Sequence, residues 1–325
     1  MNSEPMNAYY EDKVVPISKI DITDHTFRLS LRIDTANLVD SIQAVGLINP
    51  PVVTAIDNST FIIVCGFRRI KACQLLGWQE IKARTLVGDL SEAELLKLAI
   101  SDNRSHRSLN IIEQARGIQK LSAHTAGNSL EMLSSLLGFP SNQKVFQKIS
   151  ALIRLPEVIQ TGVLDNTISF EAAADLCRLS PEDALVFYNF LKGFKLSQNK
   201  QKEIITLVEE IGIREDLMPS DVLESKEIRA ILDSHRLNQN EKSSMVRAYL
   251  KRRRFPTLAN AQEKFLRELK ALKLDEHMHI TAPAYFEGGL YTLRMTFKSL
   301  KDLRDRRQSL DALVKDPAMK RLLEL

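Results

Sequence analysis

Cys65-Gly66-Phe67-Arg68-Arg69-Ile70-Lys71-Ala72 is the stretch on which the reading of this chain turns. It stands where an apolar run, Phe61 to Cys65, gives way to residues of helical spacing, Arg69 to Leu76, that stop at Gly77. A glycine at a strand-to-helix junction lets the backbone come close to a ligand. The first turn of the helix offers unbonded N–H groups and the positive end of a dipole. Arg68 and Arg69 add forked donors that match phosphate oxygens. Strand, glycine, paired arginines and helix together describe a phosphate cradle. It is not a Walker A loop, because no Gly-x-x-x-x-Gly-Lys-Ser/Thr pattern occurs. The competing reading is a surface turn with two solvated arginines.

Working outward, Val14 to Ile17 reads as a short strand and Leu38 to Val45 as an amphipathic helix closed by Gly46. Pro51 to Ile56 is a β-branched run, Asp57-Asn58-Ser59 a turn, and Ile81 to Val87 a last strand. Residues 14–90 are thus predicted to form a small α/β domain. From Ser91 the pattern turns helical. Ser91 and Glu94 suit a capped start, with the first helix running to Ile100 and another following Asn110. Leu130 to Leu137 and Gln143 to Ile153 form a helix pair around Gly138-Phe139-Pro140-Ser141, and Phe170 to Leu176 and Pro181 to Leu191 continue the array. Residues 91–195 are read as a helical DNA-binding domain and 196–274 as a linker region of three or four helices. In residues 275–325, His277 to Ala282 and Tyr291 to Phe297 are strand-like around Gly288-Gly289. A basic helix, Leu300 to Val314, follows, and this end of the chain is offered as a dimerisation element.

Composition narrows the class. Hydrophobic content of 44% and charged content of 26% suit a globular protein with several cores. The net charge of +4 decides little, but Glu241 to Lys273 concentrates Lys and Arg, and Lys298 to Arg307 forms a second basic cluster. Such patches suit a polyanion. The three cysteines, Cys65, Cys73 and Cys177, fit neither a disulfide framework nor zinc spacing. The first thirteen residues lack a signal-peptide core, and no apolar run has the length of a membrane span, so a cytoplasmic protein is expected.

Two further segments keep company with the cradle. Upstream lies Leu38-Val39-Asp40-Ser41-Ile42-Gln43-Ala44-Val45-Gly46-Leu47-Ile48-Asn49-Pro50-Pro51-Val52-Val53. Downstream lies Asp102-Asn103-Arg104-Ser105-His106-Arg107-Ser108-Leu109-Asn110-Ile111-Ile112-Glu113-Gln114-Ala115. In order and spacing, the three resemble the signature boxes of the ParB/RepB/Spo0J-like partition family. Arg154-Leu155-Pro156-Glu157-Val158 and Ile168 to Ala173 resemble that family's helix-turn-helix segment. The resemblance covers roughly Val14 to Leu191. It implies an α+β ParB/sulfiredoxin-like N-terminal domain, a mostly α-helical helix-turn-helix domain, and a helical C-terminal region with a short β-hairpin. Family members bind CTP and use it to close a clamp around DNA. By that resemblance, Arg68 and Arg69 contact the phosphates, Gly66 lies against them, Arg28 is the arginine of the first box, and Gly46 sits near the base or ribose. Asp102 and Asn103 would hold Mg²⁺, for which carboxylate and amide oxygens are suitable ligands. The chain departs from the boxes at Phe67, where the family has Glu, at Thr26-Phe27 in the first box, and at Asp102 and Ser105-His106 in the third.

The second helix of a helix-turn-helix enters the major groove, which nominates Asn142, Gln143, Lys144, Gln147 and Lys148 as base readers. Arg252, Arg253 and Arg254, with Lys251 before them, are nominated for phosphate contacts. The partners implied are double-stranded DNA with a palindromic site and a second copy of the chain. The role implied is nucleotide-gated binding at the nucleoid in plasmid or chromosome partition, or in mobile-element regulation, with at most weak CTPase activity. A ParA-type ATPase usually engages a short basic N-terminal stretch, which Met1 to Lys13 does not provide. The alternatives are a transcriptional regulator with a degenerate pocket, and a nuclease or phosphotransferase on the same fold. The latter needs a carboxylate cluster near Arg68 and Arg69, where Asp102 is the one obvious candidate. Sulfiredoxin chemistry needs a cysteine where Phe67 stands.

Overall fold

Burial alternates along Glu80–Val87: Ile81 and Ala83 face the core while Glu80, Lys82 and Arg84 face solvent. This is the period of two expected of a half-buried strand, and the first sheet is built around it. The structure is a computed structural model and describes residues 9–57, 59–124 and 129–324. The reading of the N-terminal tail falls largely on Met1 to Ala8, and that of the 57–59 turn partly on Asn58; these lie outside the described residues.

In chain order the first elements are β1 (Tyr9–Pro16), β2 (Ile20–Asp21), α1 (Ala36–Val45), β3 (Val52–Ala55), β4 (Phe61–Cys65), α2 (Phe67–Leu75) and β5 (Glu80–Val87). The five-stranded sheet has the order β1-β5-β3-β4-β2. β5 pairs antiparallel with β1 and parallel with β3, while β4 pairs antiparallel with β3 and parallel with β2. Ile42 of α1 and Ile70, Ala72 and Cys73 of α2 pack with Val15, Val53, Ile63, Ile81 and Ala83 of the sheet. β1 begins five residues before the strand read from sequence. Residues 9–14 are exposed and carry no alternation, so only backbone pairing with β5 marks them as strand.

The helices that follow are α3 (Glu92–His106), α4 (Ile111–His124), α5 (Leu130–Leu137), α6 (Gln143–Ala151), α7 (Glu157–Leu164), α8 (Phe170–Leu176) and α9 (Pro181–Lys192). Ser91 and Glu94 form the expected capping box. α3 runs past Ile100 to His106 because its last residues are polar and solvated, which hides them from apolar periodicity. Gly117 of α4 packs so tightly on Leu137 of α5 that a Cβ there would overlap the Leu137 methyl group.

Then come α10 (Gln198–Glu215), α11 (Pro219–Leu223), α12 (Lys226–Leu232), α13 (Gln239–Arg254) and α14 (Pro256–Ala271). These are five helices where sequence spacing predicted three or four. α11 and α12 are too short to display a full apolar period. β6 (Met278–Thr281) and β7 (Thr292–Met295) pair antiparallel as the expected hairpin, with α15 (Leu300–Lys315) and α16 (Pro317–Leu323) after it. Phe265, Met278, Ile280, Leu313 and Leu322 form the core of this part. The chain forms two compact units, Met1–Lys202 and Glu203–Leu325, and their boundary falls within α10. Among the described residues no helix is long and apolar enough to cross a membrane.

Candidate functional site

The cradle begins at Gly66, which caps α2 with φ of 96°, a conformation that disfavours any side chain. Space matters as well as angle. A Cβ at Gly66 would lie 2.8 Å from Pro51 Cβ and 3.0 Å from Arg69 Nε. The first bond of α2 runs from Ile70 N–H to Gly66 O, 3.1 Å, and no side chain caps the turn before it. The N–H groups of that first turn therefore keep the anion-binding character expected of an open helix start.

The arginines are fixed by backbone oxygens. Arg69 Nη1 donates to Asn49 O and Pro50 O, both at 2.9 Å, and Arg69 Nη2 lies 3.5 Å from Asp102 Oδ2. Arg68 Nε donates to Asp34 O at 2.5 Å. Arg28 donates to Ser30 O at 2.8 Å and Leu31 O at 2.6 Å, and burial, then the neighbouring Arg116 charge, pull its pKa down. Asp102, Asn103 and His106 come from the last turns of α3. Asn103 Nδ2 donates to Ala99 O at 2.8 Å, and His106 Nε2 stands 3.8 Å from Asp102 Oδ1.

A cavity of about 420 Å³ has Arg28, Gly66, Arg68, Arg69, Asp102 and Asn103 in its lining. Its size is in the range of small-ligand sites. Gly46 is not part of that lining; it closes α1 with φ of 79°. Phe27, Asn49, His106 and Arg107 also line the cavity and were not singled out as site residues from the sequence. Phe67 lines it too, so an aromatic ring stands beside the arginines. Cys65, just before the glycine, is buried, and burial pushes its thiol pKa far up.

A second, smaller cavity of about 200 Å³ shares Ser30, Arg68 and Arg107 with the first. Glu113 also lines it, with a side chain that is almost fully enclosed. Its carboxylate accepts from Arg107 Nη1 and Nη2, both at 2.6 Å, from Ser30 Oγ at 2.8 Å and from Asn110 N–H at 3.0 Å. Burial works to raise the pKa of Glu113, and these hydrogen bonds outweigh it and hold it below the ordinary value. Lys120, on the same helix, donates to His25 O and Thr26 O, so α4 pins the loop that carries Arg28. Arg107 and Glu113 belong to the third box, but nothing in local spacing tied Ser30 to them; the Ser30–Glu113 contact spans 83 residues.

The helix pair α5–α6 has the expected proportions. Gly138 takes the left-handed conformation with φ of 78°, Phe139 is buried, and its ring lies 6.2 Å from that of Phe146. Asn142 caps α6, its Oδ1 accepting from Lys144 N and Val145 N, which leaves its amide as a donor. Gln143, Lys144 and Gln147 are exposed on α6. Lys148 pairs with Glu171 of α8.

Each residue of the run from Lys251 to Arg254 has a carboxylate partner. Lys251 pairs with Glu203 at 2.6 Å, Arg252 with Glu263 at 3.2 Å, Arg253 with Glu215 at 2.6 Å and Arg254 with Glu210 at 2.6 Å. The Arg253 hydrogen bond holds the Glu215 carboxyl below its ordinary pKa. The dense positive charge read from sequence is neutralised by carboxylates, most of them on α10.

The ParB N-terminal domain family matches residues 6–104. The chain is 30% identical over 208 residues to a nucleoid occlusion protein of Oceanobacillus iheyensis, covering 62% of this chain and 70% of that protein. It is 29% identical over 179 residues to a nucleoid occlusion protein of Bacillus thuringiensis, covering 54% of this chain and 59% of that one. A solved structure of C-terminally truncated chromosome-partitioning protein ParB from Caulobacter crescentus, complexed with CTP-γ-S, is 21% identical. It covers 56% of this chain and 98% of that chain at a TM-score of 0.24.

Proposed function

The chain belongs to the ParB family, and from that premise we propose that it is a sequence-specific DNA-binding protein of partition or nucleoid occlusion whose N-terminal cavity takes CTP as a gate. The observation that carries this reading is the cavity itself. It joins the open start of α2, Arg68 and Arg69 to Asp102 and Asn103 of α3, within the unit that also holds α5 and α6. A triphosphate needs clustered donors, and the cavity supplies guanidinium groups together with backbone N–H groups. Arg68 is bound through Nε alone among the contacts described, which leaves its terminal nitrogens facing a ligand.

Mg²⁺ would be held by Asp102 and Asn103. Among the described residues no group of three or more His, Cys, Asp or Glu side chains is placed to hold a metal ion, so its other ligands would be phosphate and water oxygens. Such an ion neutralises phosphate charge when bound. Asp102 would then exchange its Arg69 partner for the ion, and Arg69 would turn to a phosphate. Phe67 supplies no proton-handling group beside the phosphates, which favours binding over efficient hydrolysis.

DNA is read by Gln143, Lys144 and Gln147 and by the Asn142 amide, with a second copy of the chain reading the second half-site. The test is calorimetric binding of CTP, ATP and GTP with and without cognate DNA, with Arg68→Ala as control. Tight CTP binding lost in the variant is expected. DNA binding intact with no nucleotide bound would replace this reading with a helix-turn-helix regulator on the same scaffold.

A further inference from the structure

α3 has two working sides. Asp102 and His106, four residues apart, share the side that lines the cavity. Arg104 lies about 200° around the helix from Asp102 and points away from it. Its Nη1 donates to Ser135 O and, at 3.0 Å, to Leu136 O. These are carbonyls of the last turn of α5, the first helix of the helix-turn-helix. The cap at Gly138 serves a different carbonyl: Gly138 N–H and Phe139 N–H both reach Ser134 O, at 2.8 and 3.2 Å. Arg104 thus answers the carbonyls the cap leaves over, and its positive charge sits at the negative end of the helix. The guanidinium also covers Gly138, since a Cβ there would lie 3.4 Å from Arg104 Nε. From the other side Gln114 of α4 donates to Gly138 O at 3.4 Å.

We infer that Arg104 is a positioning residue that sets the α5–α6 turn and ties its orientation to the occupancy of the cavity one helix face away. A ligand that pulls on Asp102 and Asn103 moves the last turn of α3. Arg104, rooted in that turn, carries the end of α5 with it. The recognition helix starts seven residues after the last carbonyl that Arg104 holds, with Asn142 capping it. The coupling half of this inference rests on the nucleotide reading above; the positioning half does not.

The test uses the full chain and Arg104→Gln, with Arg104→Lys as the conservative variant that keeps a cationic donor. Amide exchange at Gly138 and Phe139 without nucleotide is expected to rise about tenfold in R104Q and to be largely restored in R104K. DNA affinity is then measured with and without CTP, alongside calorimetric CTP binding. In the wild type CTP is expected to shift DNA affinity by about fivefold or more, and in R104Q by less than about twofold, with CTP affinity itself unchanged. Unchanged exchange in R104Q overturns the positioning role. Bound CTP that shifts DNA affinity equally in both proteins, or in neither, overturns the coupling. Absence of CTP binding to the wild type fails the nucleotide reading and the coupling with it, and the exchange measurement alone then decides the positioning role.

Discussion

Arg69 and Asp102 face each other at 3.5 Å across the wall of the cavity, so the carboxylate nominated for a metal is already engaged by an arginine nominated for phosphate. Both are partly exposed, and such a pair contributes only about 0–1 kcal/mol to stability. Asp102→Asn is therefore expected to leave Tm nearly unchanged. It frees Arg69, so CTP binding without Mg²⁺ should tighten while the gain on adding Mg²⁺ disappears. Calorimetric titrations with and without Mg²⁺ read both effects, and an undiminished Mg²⁺ gain in D102N would remove Asp102 from the metal site.

Glu113 should make the N-terminal unit acid-sensitive. Its folded pKa lies below its ordinary value of 4.5, so its stabilisation is present above that pH and is lost as pH falls through the depressed folded value. Glu113→Gln keeps the shape but weakens the Arg107 and Ser30 bonds. A loss of about 1–3 kcal/mol is expected at neutral pH, at the lower end because Arg107 is partly exposed. Urea unfolding from pH 7 downward should show the gap between wild type and variant closing below pH 4.5. A gap that widens on acidification would contradict the direction of the shift.

Gly117→Ala sets two effects against each other. Helix propensity favours alanine by about 1 kcal/mol. The added Cβ, however, would overlap a terminal methyl of Leu137, which is fully buried. Overpacking of this kind costs about 1–3 kcal/mol, so the net change is expected to be destabilising. Combining it with Leu137→Ala, which vacates the overlap, should lose less than the sum of the two single changes. Additive losses in chemical denaturation would place the cost elsewhere.

The two sets of residues nominated for DNA should separate experimentally. Lys144→Ala and Gln147→Ala on α6 are each expected to weaken cognate-site binding by about 1–3 kcal/mol. Replacing Arg252, Arg253 and Arg254 together should lower Tm, because Glu263, Glu215 and Glu210 lose their partners. It should leave the salt dependence of DNA binding unchanged. Phosphate contacts at these three positions would instead reduce the slope by roughly 0.9 each.

The parts of this protein legible in its sequence are those with a local physical signal. Alternation marked β5, apolar runs marked β3 and β4, and glycines at positive φ marked the ends of α1, α5 and the start of α2. The capping residues Ser91 and Asn142 stand where helices begin, because their side-chain oxygens answer N–H groups only two or three residues away. Gly66, Arg68 and Arg69 were nominated on the same local grounds, and they line one cavity with Asp102 and Asn103.

Tertiary structure decided which charges remain free. Lys251 to Arg254 reads as a basic patch until α10 brings Glu203, Glu210 and Glu215 against it. Lys148 reads as an unpaired cation until α8 presents Glu171. Arg107 and Glu113 stand in the third box and Ser30 far upstream of it, yet only the fold brings the three together beside the cavity. A helix cap or an alternating strand depends on neighbours within a turn or two, so the sequence alone marks it, whereas residues 9–14 became strand only by pairing with β5. A charge is neutralised by whichever helix face packs opposite, and that partner is chosen only when the chain has folded.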